Sequence, residues 1–181
     1  MSKKNGYQSN LILFGYKSSG KTYFGKIVSQ ALGRVFVDTD QLIEELYKKT
    51  FHELLTCRQI SLKIGEDGFR QLETKVINSL QKMSNAIISL GGGALLNSDN
   101  SAILGNIGKL VYLEVDKEII KQRIFAAGIP SFFDPLNPEK SFEKMWLERK
   151  SVYEKVSTLK INIQGKTDKE VLDELTIIAE L

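Results

Sequence analysis

Short apolar runs alternate along the chain with stretches whose apolar residues recur every three or four positions. Leu11-Ile12-Leu13-Phe14 is an unbroken apolar run, the pattern of a strand buried on both faces, and residues 10–14 are predicted as the first strand. Phe24, Ile27, Val28, Ala31 and Leu32 then fall at helical spacing, and Gly33 is a suitable stop. Val35-Phe36-Val37 predicts a second strand ending at Asp38-Thr39-Asp40. Asp38 or Thr39 can cap the helix that follows, whose apolar face is Leu42, Ile43, Leu46 and Tyr47. Residues 50–64 are mixed, with a helical segment expected around His52–Cys57. Phe69, Leu72, Val76, Ile77 and Leu80 predict a helix over 66–82, and Ala86-Ile87-Ile88-Ser89-Leu90 a third strand.

The alternation continues. Lys109–Val115 reads as a fourth strand, and Asp116 caps a helix to about Ala127. A long amphipathic helix is predicted over about 139–156, a last strand at Leu159–Ile163 and a closing helix from about Thr167. Strands alternating with helices imply an α/β fold of three layers, a parallel sheet covered on both faces. No internal repeat, low-complexity tract or long linker divides the chain, so residues 1–181 read as one domain. Residues 128–141 depart from the pattern. All three prolines (Pro130, Pro135, Pro138) and the exposed-looking Phe132 and Phe133 fall there, and a mobile loop is expected. Residues 1–9 are polar and expected to be loosely held.

Composition narrows the function classes. The 181 residues suffice for one well-cored α/β domain. A net charge of +3 gives no bulk electrostatic case for nucleic acid. A single cysteine, Cys57, excludes an intrachain disulfide and fits a reducing cytosol. The apolar run after the basic N-terminus is too short for a signal-peptide core, and no stretch approaches the ~18 apolar residues of a membrane span. A soluble cytoplasmic protein, monomeric and without membrane or nucleic-acid partners, is the expectation.

The chemistry is concentrated where strands end. Gly15-Tyr16-Lys17-Ser18-Ser19-Gly20-Lys21-Thr22 reads G-x-x-x-x-G-K-[ST], the phosphate-binding P-loop, and it lies between a predicted strand and a predicted helix as the motif requires. Gly15 and Gly20 let the backbone turn, and the N–H groups around Ser18, Ser19 and Gly20 can then approach phosphate oxygens. Lys21 supplies a mobile charge for the β- and γ-phosphates of a nucleoside triphosphate, and the Thr22 hydroxyl is placed to ligate Mg²⁺. The second strand ends in two carboxylates. Asp38 suits the metal, through water, and Asp40 suits an acceptor hydroxyl as hydrogen-bond acceptor and possible base. The competing reading makes both helix caps. The third strand ends in Gly91-Gly92-Gly93, either a backbone platform for a ligand or a flexible turn.

Arginine is scarce, five residues against twenty lysines. Arg70 and Arg149 can grip a carboxylate with a bidentate fork, or Arg70 can pair with Glu66 or Glu73 along its own helix. No role follows for His52 or Cys57.

Taken in order, Gly15–Thr22, Phe36–Asp40, Gly65-Glu66-Asp67-Gly68-Phe69-Arg70-Gln71-Leu72-Glu73, Gly91–Gly93 and Arg149–Tyr153 resemble the shikimate kinases. These are small P-loop kinases of the nucleoside-monophosphate-kinase-like group. The resemblance implies five parallel strands in the order 2-3-1-4-5, with acceptor-binding helices at about 39–83 and a lid at about 128–141. It implies transfer of the γ-phosphoryl of ATP to the 3-hydroxyl of shikimate. By position Asp40 would hold the acceptor hydroxyls, Arg70 and Arg149 its carboxylate, and Gly92 would touch it through the backbone, with Gly91 and Gly93 beside it. Glu73 would support Arg70, Thr22 and Asp38 would serve Mg²⁺, and Arg123 would pack on adenine. The lid departs from the family, which carries an arginine there that reaches the phosphates. No Lys or Arg lies between Arg123 and Lys140. That departure keeps a nucleotide-binding protein with impaired catalysis in play. A gluconate or nucleotide kinase is the other alternative.

Overall fold

A computed structural model of the chain describes residues 9–181. The expectation for residues 1–8 lies outside the described residues. Five strands form one sheet: β1 (Asn10–Phe14), β2 (Val35–Asp38), β3 (Ala86–Ser89), β4 (Gly108–Glu114) and β5 (Leu159–Asn162). Their order is β2-β3-β1-β4-β5 and every pair is parallel, the order the resemblance implied. Every residue of β1 is buried, which is why its apolar run is unbroken.

The two faces of β1 feed two cores. Leu11 and Leu13 pack with Phe24 and Val28 of α1 (Lys21–Leu32) and with Val171 and Leu175 of α7 (Asp168–Glu180). Ile12 and Phe14 face the larger cluster beneath α4 (Ser98–Ile107), α5 (Lys117–Ala126) and α6 (Pro138–Val156). A third, smaller core joins α2 (Thr39–Phe51) to α3 (Cys57–Ser79) through Ile43, Tyr47, Ile60, Phe69, Leu72 and Val76. It holds α2 and α3 together as a unit beside the sheet.

The structure departs from the sequence expectations at three places. No helix spans His52–Cys57. His52 ends α2 in the left-handed conformation, and α3 begins at Cys57, nine residues before the predicted start at 66. A capping box starts it, with Thr56 and Gln59 each bonding the other's backbone N–H. Gly65 (φ 76°, ψ 170°) then breaks the helical path, so α3 is two helical segments in series. The segment 98–107, for which no element was predicted, is helical, started by Asn97 accepting from the N–H of Asp99 and Asn100. Finally, Phe133 is buried in the larger core, whereas Phe132 is 46% exposed. No helix of the described residues is long and apolar enough to cross a membrane.

Candidate active site

The carboxyl ends of β1, β2 and β3 open onto one cavity of about 270 Å³. In an open parallel sheet this is where ligands bind. Its walls bring together most of the residues singled out from sequence: Ser18, Lys21, Thr22, Asp38, Asp40, Arg70, Gly91–Gly93 and Arg149.

The P-loop side is built from its own backbone. Gly15 (φ 149°) and Gly20 (φ 91°) adopt angles that side chains disfavour, and a Cβ on Gly15 would lie 2.8 Å from the Leu113 carbonyl. Ser18 also takes a positive φ of 65°, local strain of the kind found at ligand clamps. Lys21 opens α1 and is 8% exposed, with Nζ donating to the Tyr16 carbonyl at 2.8 Å. Burial lowers its pKa from 10.5 to about 8, against an opposing pull from Asp40. The ammonium is thus poorly satisfied without an anion. Thr22 donates to Asp38 Oδ2 at 2.8 Å, and the Ser89 hydroxyl lies 3.4 Å from that of Thr22. These are hard oxygen donors of the kind Mg²⁺ takes, few enough to leave room for water and phosphate. No cluster of three His, Cys, Asp or Glu able to hold a metal occurs among the described residues. Arg123 reaches across from α5 and donates to the Ser18 carbonyl at 3.1 Å, which places it beside the phosphate loop.

The opposite wall is assembled from distant stretches, and the triple glycine makes the assembly possible. A Cβ at Gly91 would lie 2.6 Å from Asp40 Oδ1. One at Gly92 would lie 2.8 Å from an Arg149 nitrogen, and one at Gly93 2.5 Å from both terminal nitrogens of Arg70. Each glycine therefore vacates the space that one polar side chain enters. The Gly91 N–H donates to Thr39 Oγ1 at 2.9 Å, tying the loop to α2.

The competing readings of these residues turn out to be compatible. Asp38 is the N-cap of α2, accepting from the Asp40 N–H at 3.0 Å, and is at the same time the partner of Thr22. Arg70 is ion-paired along its helix, to Glu66 at 2.5 Å and Glu73 at 2.8 Å, and still fronts the cavity. Burial works against the charge on Arg70, but Glu73 and Glu66 outweigh it and raise its pKa. Glu73 is 2% exposed, and burial raises its pKa against the pull of Arg70. Burial, then Asp38, raises the pKa of Asp40 above the usual carboxylate value, with Lys21 opposing. The site thus pairs a reluctant ammonium with a reluctant carboxylate, and both gain from a bound anion and a bound hydroxyl.

Sequence reasoning missed several lining residues. Cys57, Arg58 and Ser61 face the cavity because α3 starts early, and the Thr56–Gln59 capping box was the signal for it. The Cys57 thiol donates to the Asp40 carbonyl, and burial followed by Asp40 pushes its pKa up, so it is a poor nucleophile. Lys17 and Arg58 line the cavity without a hydrogen bond or ion pair to another described residue. Phe132 comes from the 128–137 segment and stands 5.3 Å from the Arg149 guanidinium.

Comparison with known proteins agrees with this geometry. A family model for shikimate kinase matches residues 17–179. A shikimate kinase of Clostridium botulinum (strain ATCC 19397 / Type A) is 37% identical over 158 residues, covering 87% of this chain and 89% of the relative. Among solved structures, the shikimate kinase of Acinetobacter baumannii in complex with shikimate superposes with a TM-score of 0.80 at 29% identity, covering 92% of this chain and 90% of that one. The shikimate kinase of Aquifex aeolicus gives 0.76 at 28% identity, covering 94% and 96%. Since the family match runs from inside the P-loop to the last helix, and a relative this similar extends over nearly its whole length, the chain belongs to the shikimate kinase family.

Proposed function

We propose that the cavity binds ATP and shikimate side by side and transfers the γ-phosphoryl group to the acceptor's 3-hydroxyl, giving ADP and shikimate 3-phosphate. The observation that carries this reading is the convergence of Asp40, Arg70 and Arg149 over Gly91–Gly93, in the same cavity as Lys21. One carboxylate and two guanidinium groups suit an acceptor with hydroxyls at one end and a carboxylate at the other.

In this arrangement the backbone N–H groups of the P-loop and Lys21 hold the phosphates. Arg70, braced by Glu66 and Glu73, and Arg149 hold the acceptor carboxylate, and the Gly92 backbone lies beneath it. The anchored acid end delivers the 3-hydroxyl to Asp40. The hydroxyl oxygen attacks the γ-phosphorus as the bond to the β–γ bridging oxygen breaks, and Asp40, with its raised pKa, accepts the hydroxyl proton. Thr22, with Asp38 behind it, would hold Mg²⁺, which neutralises phosphate charge when bound. Arg123, which donates to the Ser18 carbonyl, would cover the base of the nucleotide. With no Lys or Arg at positions 124–139, Lys17 and Arg58 are the cavity cations left to meet charge that develops on the γ-phosphoryl group.

A coupled assay of ADP release with ATP, Mg²⁺ and shikimate tests the reading, with gluconate and nucleoside monophosphates as alternative acceptors. Turnover dependent on shikimate is expected. ADP release with one of the other acceptors instead would reassign the substrate. Binding of ATP and shikimate by calorimetry with background turnover would favour the impaired-catalysis alternative, to which the lid without an arginine points.

A further inference from the structure

Donor and acceptor loops meet at one buried side chain that touches neither substrate position. Tyr153 lies one helical turn beyond Arg149 on α6 and is 1% exposed. Its ring is packed edge-on against Phe14 (5.3 Å between centroids) and Tyr16 (5.1 Å), and it is tilted against Tyr112 (5.3 Å). The ring is therefore fixed by the residues on either side of the P-loop's first glycine. Its hydroxyl donates to the Gly92 carbonyl at 2.5 Å and lies 3.2 Å from the Gly15 carbonyl. Gly15 opens the P-loop and Gly92 is the centre of the acceptor loop. Burial pushes the phenol's pKa up to about 12, with the Arg149 charge and hydrogen bonding opposing, so the hydroxyl keeps its proton as a donor.

The two loops lie in van der Waals reach of each other here. A Cβ on Gly92 would stand 3.5 Å from both the Gly15 carbonyl oxygen and the Lys17 nitrogen, as well as 2.8 Å from Arg149. One phenol thus bridges the two loops, beside the Arg149 guanidinium. Two carbonyls compete for one proton, and each is the backbone of a different substrate loop. A hydroxyl at that place is worth more to geometry than to folding, because the aromatic contacts hold the ring without it.

We infer that Tyr153 is a positioning residue for phosphoryl transfer. Its hydroxyl clamps the acceptor loop to the P-loop, setting the approach of the acceptor hydroxyl to the γ-phosphoryl group. The inference rests on the reading of Gly92 and Arg149 as acceptor-side groups.

The test is Tyr153→Phe beside Tyr112→Phe. The second variant deletes a phenol oxygen from the same aromatic cluster, at a position with no hydrogen bond to the substrate loops. Wild-type turnover with shikimate checks the underlying reading, and the ratio of variant to wild type checks the inference, so the two failures are told apart. Misplacing reacting groups by a fraction of an ångström to an ångström costs about ten- to a hundredfold in rate. The expected result for Tyr153→Phe is a fall in kcat of about tenfold or more, with calorimetric Kd values for ADP and for shikimate within about threefold of wild type. Its melting temperature should match that of Tyr112→Phe within a few degrees, and Tyr112→Phe should keep wild-type kcat. The inference is overturned by a kcat within threefold of wild type. A fall in kcat matched by equal losses in both Kd values, or the disappearance of a cooperative melt, would also overturn it, since Tyr153 would then be structural only.

Discussion

The P-loop reaches its shape within eight consecutive residues, Gly15–Thr22, through backbone angles that two glycines and Ser18 adopt. The wall opposite draws Asp40 from α2, Arg70 and Glu73 from α3, Gly91–Gly93 from the end of β3 and Arg149 from α6. One side is made by local conformation and one by long-range convergence. A locally built site needs the right residues in a row. A converged site needs space where its side chains meet, and here the three glycines supply it. The two sides should therefore fail differently when altered: the first through lost charge at a fixed place, the second through side chains displaced from an intact fold.

The largest effect is expected on the donor side. Lys21→Ala removes the buried ammonium with which α1 lines the cavity. Preorganised charge of this kind is worth about 10²–10³ in kcat. Steady-state kinetics with ATP should show that loss, while the shikimate Kd by calorimetry stays close to wild type. A variant that loses shikimate binding as severely as turnover would break the division between the two sides.

Gly93→Ala probes the converged side. The backbone at 93 (φ −106°, ψ −6°) suits alanine, so no strain arises there. The new methyl would instead meet the Arg70 guanidinium at 2.5 Å, and a flexible side-chain end gives way more easily than backbone. The fold should survive while Arg70 leaves its place, with some loss of melting temperature because buried Glu73 loses its partner. Losing hydrogen bonds to a charged group costs about 1.5–3 kcal/mol, or roughly ten- to a hundredfold in KM for shikimate. KM for ATP should hold. A large drop in melting temperature with unchanged KM for shikimate would mean that Gly93 serves the fold and not Arg70.

The same contrast explains what could be read from the chain. β1 and the P-loop were legible because strand, loop and helix are contiguous, and β3 because a parallel strand is apolar throughout. Asp38 and Arg70 could be placed, but their cap and ion-pair roles looked like alternatives to site roles. Only the fold shows that one carboxylate can cap α2 and hold Thr22 together. The extent of α3 was obscured because Gly65 and Gly68 interrupt its pattern, and α4 because its ten residues carry only three large apolar side chains, Ile103, Leu104 and Ile107. Phe133 looked exposed among prolines, yet it is buried as part of the larger core. The reason for three successive glycines was out of reach, since it lies in side chains arriving from α2, α3 and α6.

Titration separates the sides at intermediate strength. Lys21 has a folded pKa of about 8, below its ordinary 10.5, because burial disfavours the cation. Its charge is complete well below pH 8 and is lost as pH rises through that value. The profile of kcat/KM reports the free enzyme, so the value for ATP should fall above about pH 8, approaching tenfold per unit. Asp40 is shifted the other way, upward, by burial and then Asp38. The value of kcat/KM for shikimate should therefore fall on acidification at a higher pH than an ordinary carboxylate would give. Profiles for the two substrates that coincide at both limbs would contradict the separation.

The smallest expected effect concerns which side the 128–137 segment serves. Phe132 is half exposed, yet its ring stands 5.3 Å from the Arg149 guanidinium carbon. A ring meets the face of a guanidinium, whereas a carboxylate takes the N–H fork at its edge, so Phe132 and a bound acid can engage Arg149 together. The contact then holds the fork ready for the carboxylate and does not compete with it. Cation–π contacts at accessible sites are worth about 0.5–1 kcal/mol, a factor of roughly two to five. Phe132→Ala should raise KM for shikimate by that factor and leave KM for ATP and the melting temperature near wild type. A rise confined to the KM for ATP would assign the segment to the nucleotide. A fall in KM for shikimate would mean that the ring blocks Arg149, and the segment would then hold the acceptor wall shut instead of completing it.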